Sequence, residues 1–312
     1  MPKVSVIIPI YGVEKYIERC ARSLFEQTLD DMEFIFVDDC TIDNSISILE
    51  TVLRDYPNRI SQTRILHHEK NMGLPYARQT GIKVASGDFI AHCDSDDWVA
   101  RDMYSDMYKK ALCDIADVVV CDYYNAYSNG NNIISLPHSE YTKDEYIIKM
   151  MSMQSSWAVW NKLVNRKLYD NAILYPKHSM AEDMVLSIQL IIKANRISFV
   201  KIPHYYYAIV PNSIVRQNDP MMLIKKMSQQ RENLKLLEQF IKTNAPQYSK
   251  QILNIKLGMK NNINPLVRIP IYKKYWLSVF PELNIQVYRL KNVSLKVKIG
   301  FYFRLLYCFL LK

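Results

Sequence analysis

Residues 4–10, VSVIIPI, are apolar and β-branched at nearly every position. A short run of that kind predicts a strand buried on both faces of a parallel sheet. The period then changes. Val13, Ile17, Cys20, Leu24 and Phe25 recur at helical spacing through YGVEKYIERCARSLFEQ, which predicts an amphipathic helix. EFIFVDD (33–39) is a second buried strand that closes on two acids, and TIDNSISILETVLRDY is a second helix with Asp43 at its N-cap. TRILHH (63–68) is a shorter third strand. NMGLPYARQTGIKVASG follows as a loop and a helix, with Pro75 in the first turn and Gly87 at the stop. DFIAHCD (88–94) is the fourth strand.

Strand and helix thus alternate four times in the first hundred residues, the signature of an α/β domain with a mostly parallel central sheet. Further on, DMYSDMYKKAL is helical, DVVVCDYYNAY is a strand, and SNGNN is a hairpin-like turn. MAEDMVLSIQLIIKA (180–194) is a helix with a polar start, and RISFVKIPHYYYAIV reads as two short strands. From about residue 220 the pattern becomes long helices rich in Lys and Leu/Ile. The expected division is therefore an α/β domain over 1–218, in two halves at 1–99 and 100–218, and a basic helical region over 219–312.

Charge sharpens that division. The net charge of +9 is uneven: residues 1–219 carry 23 basic and 28 acidic side chains, and the remainder 17 basic against three acidic. A basic block on a mildly acidic domain points to a polyanionic surface, either anionic membrane or nucleic acid. The six cysteines form no C-x-x-C pair, so a reducing compartment and free thiols are expected. MPKVSVIIPIYG runs directly into a strand, so no signal peptide is expected. No run of about 18 apolar residues exists, so no membrane-spanning helix is expected.

In parallel α/β sheets ligands bind at the carboxyl ends of the strands. The residues there are Tyr11, Asp38, Asp39, Asp94, Asp96 and Asp97. One acid after a strand is ordinarily a helix cap, and Asp97 or Asp102 would serve. Asp94, Ser95, Asp96 and Asp97 together exceed that need, because one cap uses one side chain and the other carboxylates repel. A hard divalent cation relieves the repulsion, and Mn²⁺ or Mg²⁺ commonly shares its oxygen ligands with substrate phosphates.

Taken in order, VSVIIPIYGVEKYIERCARSLFEQT, EFIFVDDCTIDNS, NMGLPYARQTGIKVASGDFIAHCDSDDW and AEDM resemble the family 2 glycosyltransferases with the GT-A fold, over about residues 3–215. The resemblance implies inverting transfer of a sugar from a nucleotide-sugar, with a UDP-sugar favoured and a divalent metal on the diphosphate, and it makes 1–218 the catalytic domain, with 1–99 its nucleotide-sugar-binding half and 100–218 its acceptor half. It implies that Pro9 and Tyr11 line the base pocket, that Asp39 binds the base and selects uracil, and that Asp38 holds the loop beside it. Asn71 and Gly73 match the N-x-G turn near the nucleotide. Asp94 and Asp96 match the D-x-D, with Asp94 and Ser95 toward the nucleotide-sugar, Asp96 as the more direct metal ligand and Asp94 as the second. Asp97 extends the acidic set. Asp183 matches the catalytic base, and the neighbouring Glu182 is the alternative. Three positions depart from the family pattern: Gly12 where Asn is common, Cys40 where Gly is common, and Ala208 where an Arg often follows the last Tyr.

Other side chains carry two readings. His204 is either a third metal ligand or a packed histidine. His67 and His68 are solvated loop residues or neighbours of the base. Trp157 and Trp160 either stack on an acceptor sugar or belong to the core, and Arg78 either faces phosphate or lies on a helix surface. The tail SLKVKIGFYFRLLYCFLLK (294–312) places Lys296, Gly300, Arg304, Cys308 and Lys312 at intervals of four, a narrow stripe on an apolar cylinder. Docking on the chain itself and lying in a membrane interface are the two accounts, and the basic last third favours the membrane.

The leading expectation is a cytoplasmic glycosyltransferase, peripheral on the inner face of the membrane. Its acceptor would be a saccharide or a lipid-linked saccharide of a surface polysaccharide. A sugar-nucleotide nucleotidyltransferase is the enzymatic alternative, although PIYGVEKYIE lacks the Gly-rich basic loop such enzymes usually carry. A non-catalytic membrane-bound protein that binds sugar-nucleotides is another alternative, which the intact acids disfavour. Nucleic-acid binding lacks a motif and conflicts with the acidic cluster.

Overall fold

The computed structural model describes residues 1–127, 130, 132–135, 141–169, 172–209, 219–289 and 293–310. Most of the SNGNN turn, the end of the HYYYAIVPNSIV segment and the last two residues of the tail lie outside them.

Among the described residues nine strands form one sheet: β1 (Val4–Ile10), β2 (Met32–Asp38), β3 (Thr63–His67), β4 (Phe89–His92), β5 (Trp98–Val99), β6 (Val118–Ala126), β7 (Asn132–Ser135), β8 (Lys162–Asn165) and β9 (Ile197–Ala208). Their order is β3-β2-β1-β4-β8-β6-β9-β5, with β7 paired to β6. The first four strands in that order are parallel. The second half is mixed: β8 runs antiparallel to both β4 and β6, and β9 is parallel to β6. All seven positions of β1 and of β2 are buried, as a sheet covered by helices on both faces requires.

Helices α1 (Ile17–Phe25), α2 (Ser45–Arg54), α3 (Pro57–Ile60), α4 (Leu74–Val84) and α5 (Met103–Asp114) complete the first half. Alternation along the strands divides the core. Val6, Ile8 and Ile10 with Phe34 and Phe36 join Cys20, Leu24 and Leu49 on one face. On the other face Ile35 and Val37 meet Ala77 of α4. There α4 lies so close to β1 that a Cβ on Gly81 would sit 2.4 Å from Ile7 Cγ2.

Local expectations needed three corrections. Helix α1 begins at Ile17 rather than near Val13. Asn44, not Asp43, is the N-cap of α2. The Asp43 carboxylate instead ties the loop together, accepting from the Ser45 hydroxyl at 2.6 Å and the Glu14 amide at 2.9 Å. Third, residues 197–208 form a single strand. Its register against β6 slips around Asp122, which lies opposite Pro203; proline cannot donate to the ladder, and a bulge absorbs it.

The second half adds α6 (Lys143–Met151), α7 (Glu182–Lys193), α8 (Pro220–Asn244), α9 (Ile252–Asn262), α10 (Lys273–Ser278), α11 (Leu283–Gln286) and α12 (Leu295–Leu310). These helices build no separate core. One apolar cluster runs from Ile7, Ile90 and Val118 of the sheet through Leu186 and Leu237 to Trp276, Phe301 and Cys308.

Candidate active site

The DSDD segment leaves β4 where four hydrogen bonds decide which acids face outward. Ser95 donates its hydroxyl to the Pro9 carbonyl at 2.7 Å, pinning the loop to β1. The Asp94 amide donates to the Tyr205 hydroxyl at 3.0 Å, and that hydroxyl donates to Asp97 Oδ2 at 2.7 Å. The Ala208 amide donates to Asp97 Oδ1 at 2.7 Å. Asp97 is therefore fully buried and turned into the fold. The expectation that it extends the acidic set is corrected: Asp97 fastens the loop to β9. Burial, then the charges of Asp96 and Asp94, push its carboxyl well above the usual range.

Asp96 stays only partly buried. Burial and the neighbouring Asp94 raise it to about 6. Among the described residues no cationic side chain forms an ion pair with it. Arg19, which stacks on Trp98 at 3.6 Å, reaches only the Asp96 carbonyl, at 3.0 Å. A carboxylate held beside another carboxylate without a counter-charge fits a divalent cation. Among the described residues no three metal-binding side chains converge by themselves.

Asp94 meets its counter-charge in Arg78. This guanidinium is 2% exposed and forms ion pairs with Asp94 at 2.7 Å and Glu182 at 2.8 Å, with Asp183 at 3.9 Å. Neither sequence reading of Arg78 stands: it is not on the helix surface and is not open to phosphate, but is the buried centre of three acids. A signal was present, because Pro75, Arg78, Gly81 and Ile82 share the buried stripe of α4. The three acids hold the guanidinium pKa well above its usual value against the cost of burial.

Glu182 and Asp183 open α7 after Ala181, whose φ of 62° is left-handed. They face different surroundings. The Glu182 side chain is 3% exposed and committed to Arg78, whereas that of Asp183 is 30% exposed. Burial, then the charge of Glu182, raises the Asp183 carboxyl well above the usual range. Lys162, fully buried on β8, adds a cation whose pKa burial lowers to about 7. Its ammonium donates to the Ala158 carbonyl at 2.6 Å and to Asn161 Oδ1 at 3.0 Å.

The expected base pocket lies at the ends of β1 and β2. Asp38 accepts from the Thr41 amide at 2.8 Å and contacts His67 Nδ1 at 2.9 Å, so it does hold the loop. Asp39 is buried and closes the N-x-G turn. Its Oδ1 accepts from Met72 N at 2.7 Å and meets His68 Nδ1 at 2.7 Å, and its Oδ2 accepts from Gly73 N at 2.7 Å. His68 is thus a shielded partner of Asp39, whereas His67, although paired with Asp38, stays exposed to solvent. Gly73 has φ +92°, a conformation that favours glycine. Asn71 is exposed beside it. Pro9 is buried in β1, and Tyr11 is 52% exposed beyond it. The departures at Gly12 and Cys40 both fall at left-handed positions, φ 68° and φ 59°. Glycine takes this conformation freely, whereas cysteine at 40 bears a cost of about 1–2 kcal/mol.

The remaining readings resolve by contact. His204 Nε2 lies 3.1 Å from Asp106 Oδ2 of α5, which makes it a packed histidine. Trp160 is 5% exposed and stacks on Tyr205 at 4.2 Å between centroids, so it is core. Trp157 is half-buried and donates to the Met150 carbonyl at 2.7 Å.

A mixed sheet with a parallel first half, flanked by helices, with a D-x-D at the end of β4 and a second acid pair at the start of α7, defines a GT-A-type transferase. The chain belongs to glycosyl transferase family 2, whose family model matches residues 5–184. It is 34% identical over 223 residues to the uncharacterized glycosyltransferase EpsJ of Bacillus subtilis, covering 69% of this chain but only 63% of that protein. Among solved structures it is similar to S. aureus TarS 1–349 in complex with UDP-GlcNAc, with a TM-score of 0.60, 21% identity and 88% and 85% of the two chains covered. It is also similar to the mannosyltransferase PcManGT from Pyrobaculum calidifontis in complex with GDP-Man and Mn²⁺, with a TM-score of 0.57, 14% identity and 98% and 85% covered. At these identities the two structures establish the fold.

Proposed function

We propose that this chain is an inverting, metal-dependent glycosyltransferase that moves a sugar from a UDP-sugar to a saccharide or lipid-linked saccharide in surface polysaccharide synthesis. The observation that carries this reading is the division of acids around Arg78. Asp94 and Asp183 keep 26% and 30% of their side chains exposed, while Glu182 is buried against Arg78. Asp94 and Asp96 fall to the donor side and Asp183 to the acceptor side.

Asp183 takes the proton from the acceptor hydroxyl as that oxygen attacks the anomeric carbon and the bond to the diphosphate breaks. Attack opposite the leaving group inverts the anomer. Its raised pKa makes Asp183 a stronger base once ionised, and the Arg78 charge works against that rise. Glu182 orients Arg78 and does not meet the acceptor. Mn²⁺ or Mg²⁺ held by Asp96 and Asp94 would neutralise the charge gathering on the leaving diphosphate. Asp39 keeps a free lone pair on Oδ2 for the N3–H of uracil, while Pro9, Tyr11, Asn71 and Gly73 surround the nucleotide. Sugar release from a panel of UDP- and GDP-sugars with Mn²⁺ tests the donor; faster turnover of GDP-sugars refutes the uracil assignment.

The acceptor reading extends to the membrane. Among the described residues no helix is long and apolar enough to cross one. Helix α12 docks through Phe301, Leu305 and Cys308, so Cys308 leaves the basic stripe expected for it. The opposite face still presents Leu295, Ile299, Tyr302, Phe303 and Tyr307 to solvent, with Lys296 exposed among them. That surface suits the headgroup boundary of an anionic inner leaflet. Co-sedimentation with phosphatidylglycerol vesicles tests it. Binding that salt weakens and F303E abolishes is expected, and full-length protein left in the supernatant at low salt refutes it.

A further inference from the structure

Helix α8 opens the basic C-terminal region, yet one of its side chains reaches back to the segment that presents the catalytic acids. The buried side of α8 is mostly apolar, with Leu223, Met227, Leu234, Leu237, Phe240 and Ile241. Asn233 lies on that side with no exposed surface. A carboxamide buried among apolar side chains is costly unless its hydrogen bonds are made. Here all four are made, and all go to one short segment. Asn233 Oδ1 accepts from the Lys177 amide at 3.3 Å and the His178 amide at 3.4 Å. Its Nδ2 donates to the His178 carbonyl at 2.6 Å and the Met180 carbonyl at 3.0 Å. This exhausts what an Asn side chain can offer.

The clamped segment has neighbours on both sides of the site. It runs directly into Ala181, Glu182 and Asp183. Within it, Ser179 Oγ lies 3.9 Å from where a Cβ on Gly73 would stand, so the segment borders the turn whose amides Asp39 holds. The left-handed Ala181 needs its neighbours fixed, because a non-glycine residue leaves that conformation readily when free.

We propose that Asn233 is a positioning residue for Asp183, and that α8 is therefore a working part of the active site rather than a detachable basic appendage. The inference rests on Asp183 being the base, so its test has one arm independent of catalysis. Asn233→Leu keeps the volume close and removes all four hydrogen bonds. Leu237→Ala, on the same buried face, is the control for general loss of stability. Amide hydrogen exchange of both variants and the wild type reads the segment 177–183 directly. Donor turnover with UDP-sugar and Mn²⁺ reads its consequence.

The expected result is exchange at 177–183 faster by tenfold or more in Asn233→Leu, with kcat lower by tenfold or more and KM for the donor within twofold. Leu237→Ala should lower Tm while leaving both near wild type. Unchanged exchange at 177–183 in Asn233→Leu overturns the proposal, and so does an equal rise in Leu237→Ala. If exchange rises as expected but the wild type turns over no nucleotide-sugar, the clamp stands and the assignment of Asp183 as base falls.

Discussion

Replacing Arg78 by Met keeps the aliphatic stem of the side chain and removes the charge that three acids share. Its two short bonds, to Asp94 at 2.7 Å and Glu182 at 2.8 Å, are hydrogen bonds between charged groups, each worth about 1.5–3 kcal/mol. Removing one partner of a buried pair also strands the other, which costs about 3–5 kcal/mol in total. For a chain of this size about 2 °C of Tm is lost per kcal/mol, so Tm should fall by roughly 6–10 °C at pH 7.5. The pH dependence has a definite sign. Arg78 lowers the pKa of Asp94 and Asp183, so without it both acids rise further and take up protons at higher pH. Once protonated they no longer repel, and the deficit should shrink as pH falls toward 5.5. Thermal unfolding followed by circular dichroism at both pH values is the assay. A fall of under 2 °C at pH 7.5, or a deficit that grows on acidification, would refute the account of Arg78 as the shared counter-charge.

Three further outcomes are expected. Asp96 holds its proton up to about 6 in the folded chain against about 3.9 unfolded; its contribution to stability therefore falls as pH rises from about 4 to about 6, and Mn²⁺ should raise Tm more at pH 7 than at pH 5, an effect that D96A removes and calorimetric scans would measure. Asp183→Asn should keep UDP binding by calorimetry while sugar transfer drops about a hundredfold or more, whereas E182Q should also lower Tm; the reverse assignment follows if only E182Q shows the kinetic pattern. Tyr205→Phe removes the hydroxyl bonded to Asp97 and the Asp94 amide, so a loss of about 2–3 kcal/mol in urea unfolding is expected, and an unchanged midpoint would show that β9 does not hold the DSDD loop.

Local pattern determined a great deal about this protein. The apolar runs at 4–10 and 34–37 had to be buried on both faces, and Asp38 and Asp39, which close the second, had to stand at the carboxyl end of a sheet. Neither inference needs a distant partner, because strand period and strand ends are properties of neighbouring residues. The acids that face a ligand were less legible. Asp96 and Asp97 are adjacent and chemically identical, and only Tyr205 and Ala208, more than a hundred positions away, turn Asp97 inward and leave Asp96 as the outward acid. That Asp39 also holds the neighbouring turn shows only once Met72, Gly73 and His68 are brought to it. Arg78 and Asn233 sit on buried helical stripes that the sequence does contain, but a polar residue on such a stripe has meaning only once its partners are known. Those partners lie 104 residues from Arg78, at Glu182, and 55 residues from Asn233, at His178. Composition separates the C-terminal third by charge, whereas apolar contact joins it to the sheet. Charge is set residue by residue, but a core is settled by which surfaces exclude water together, and that is decided only when the whole chain has folded.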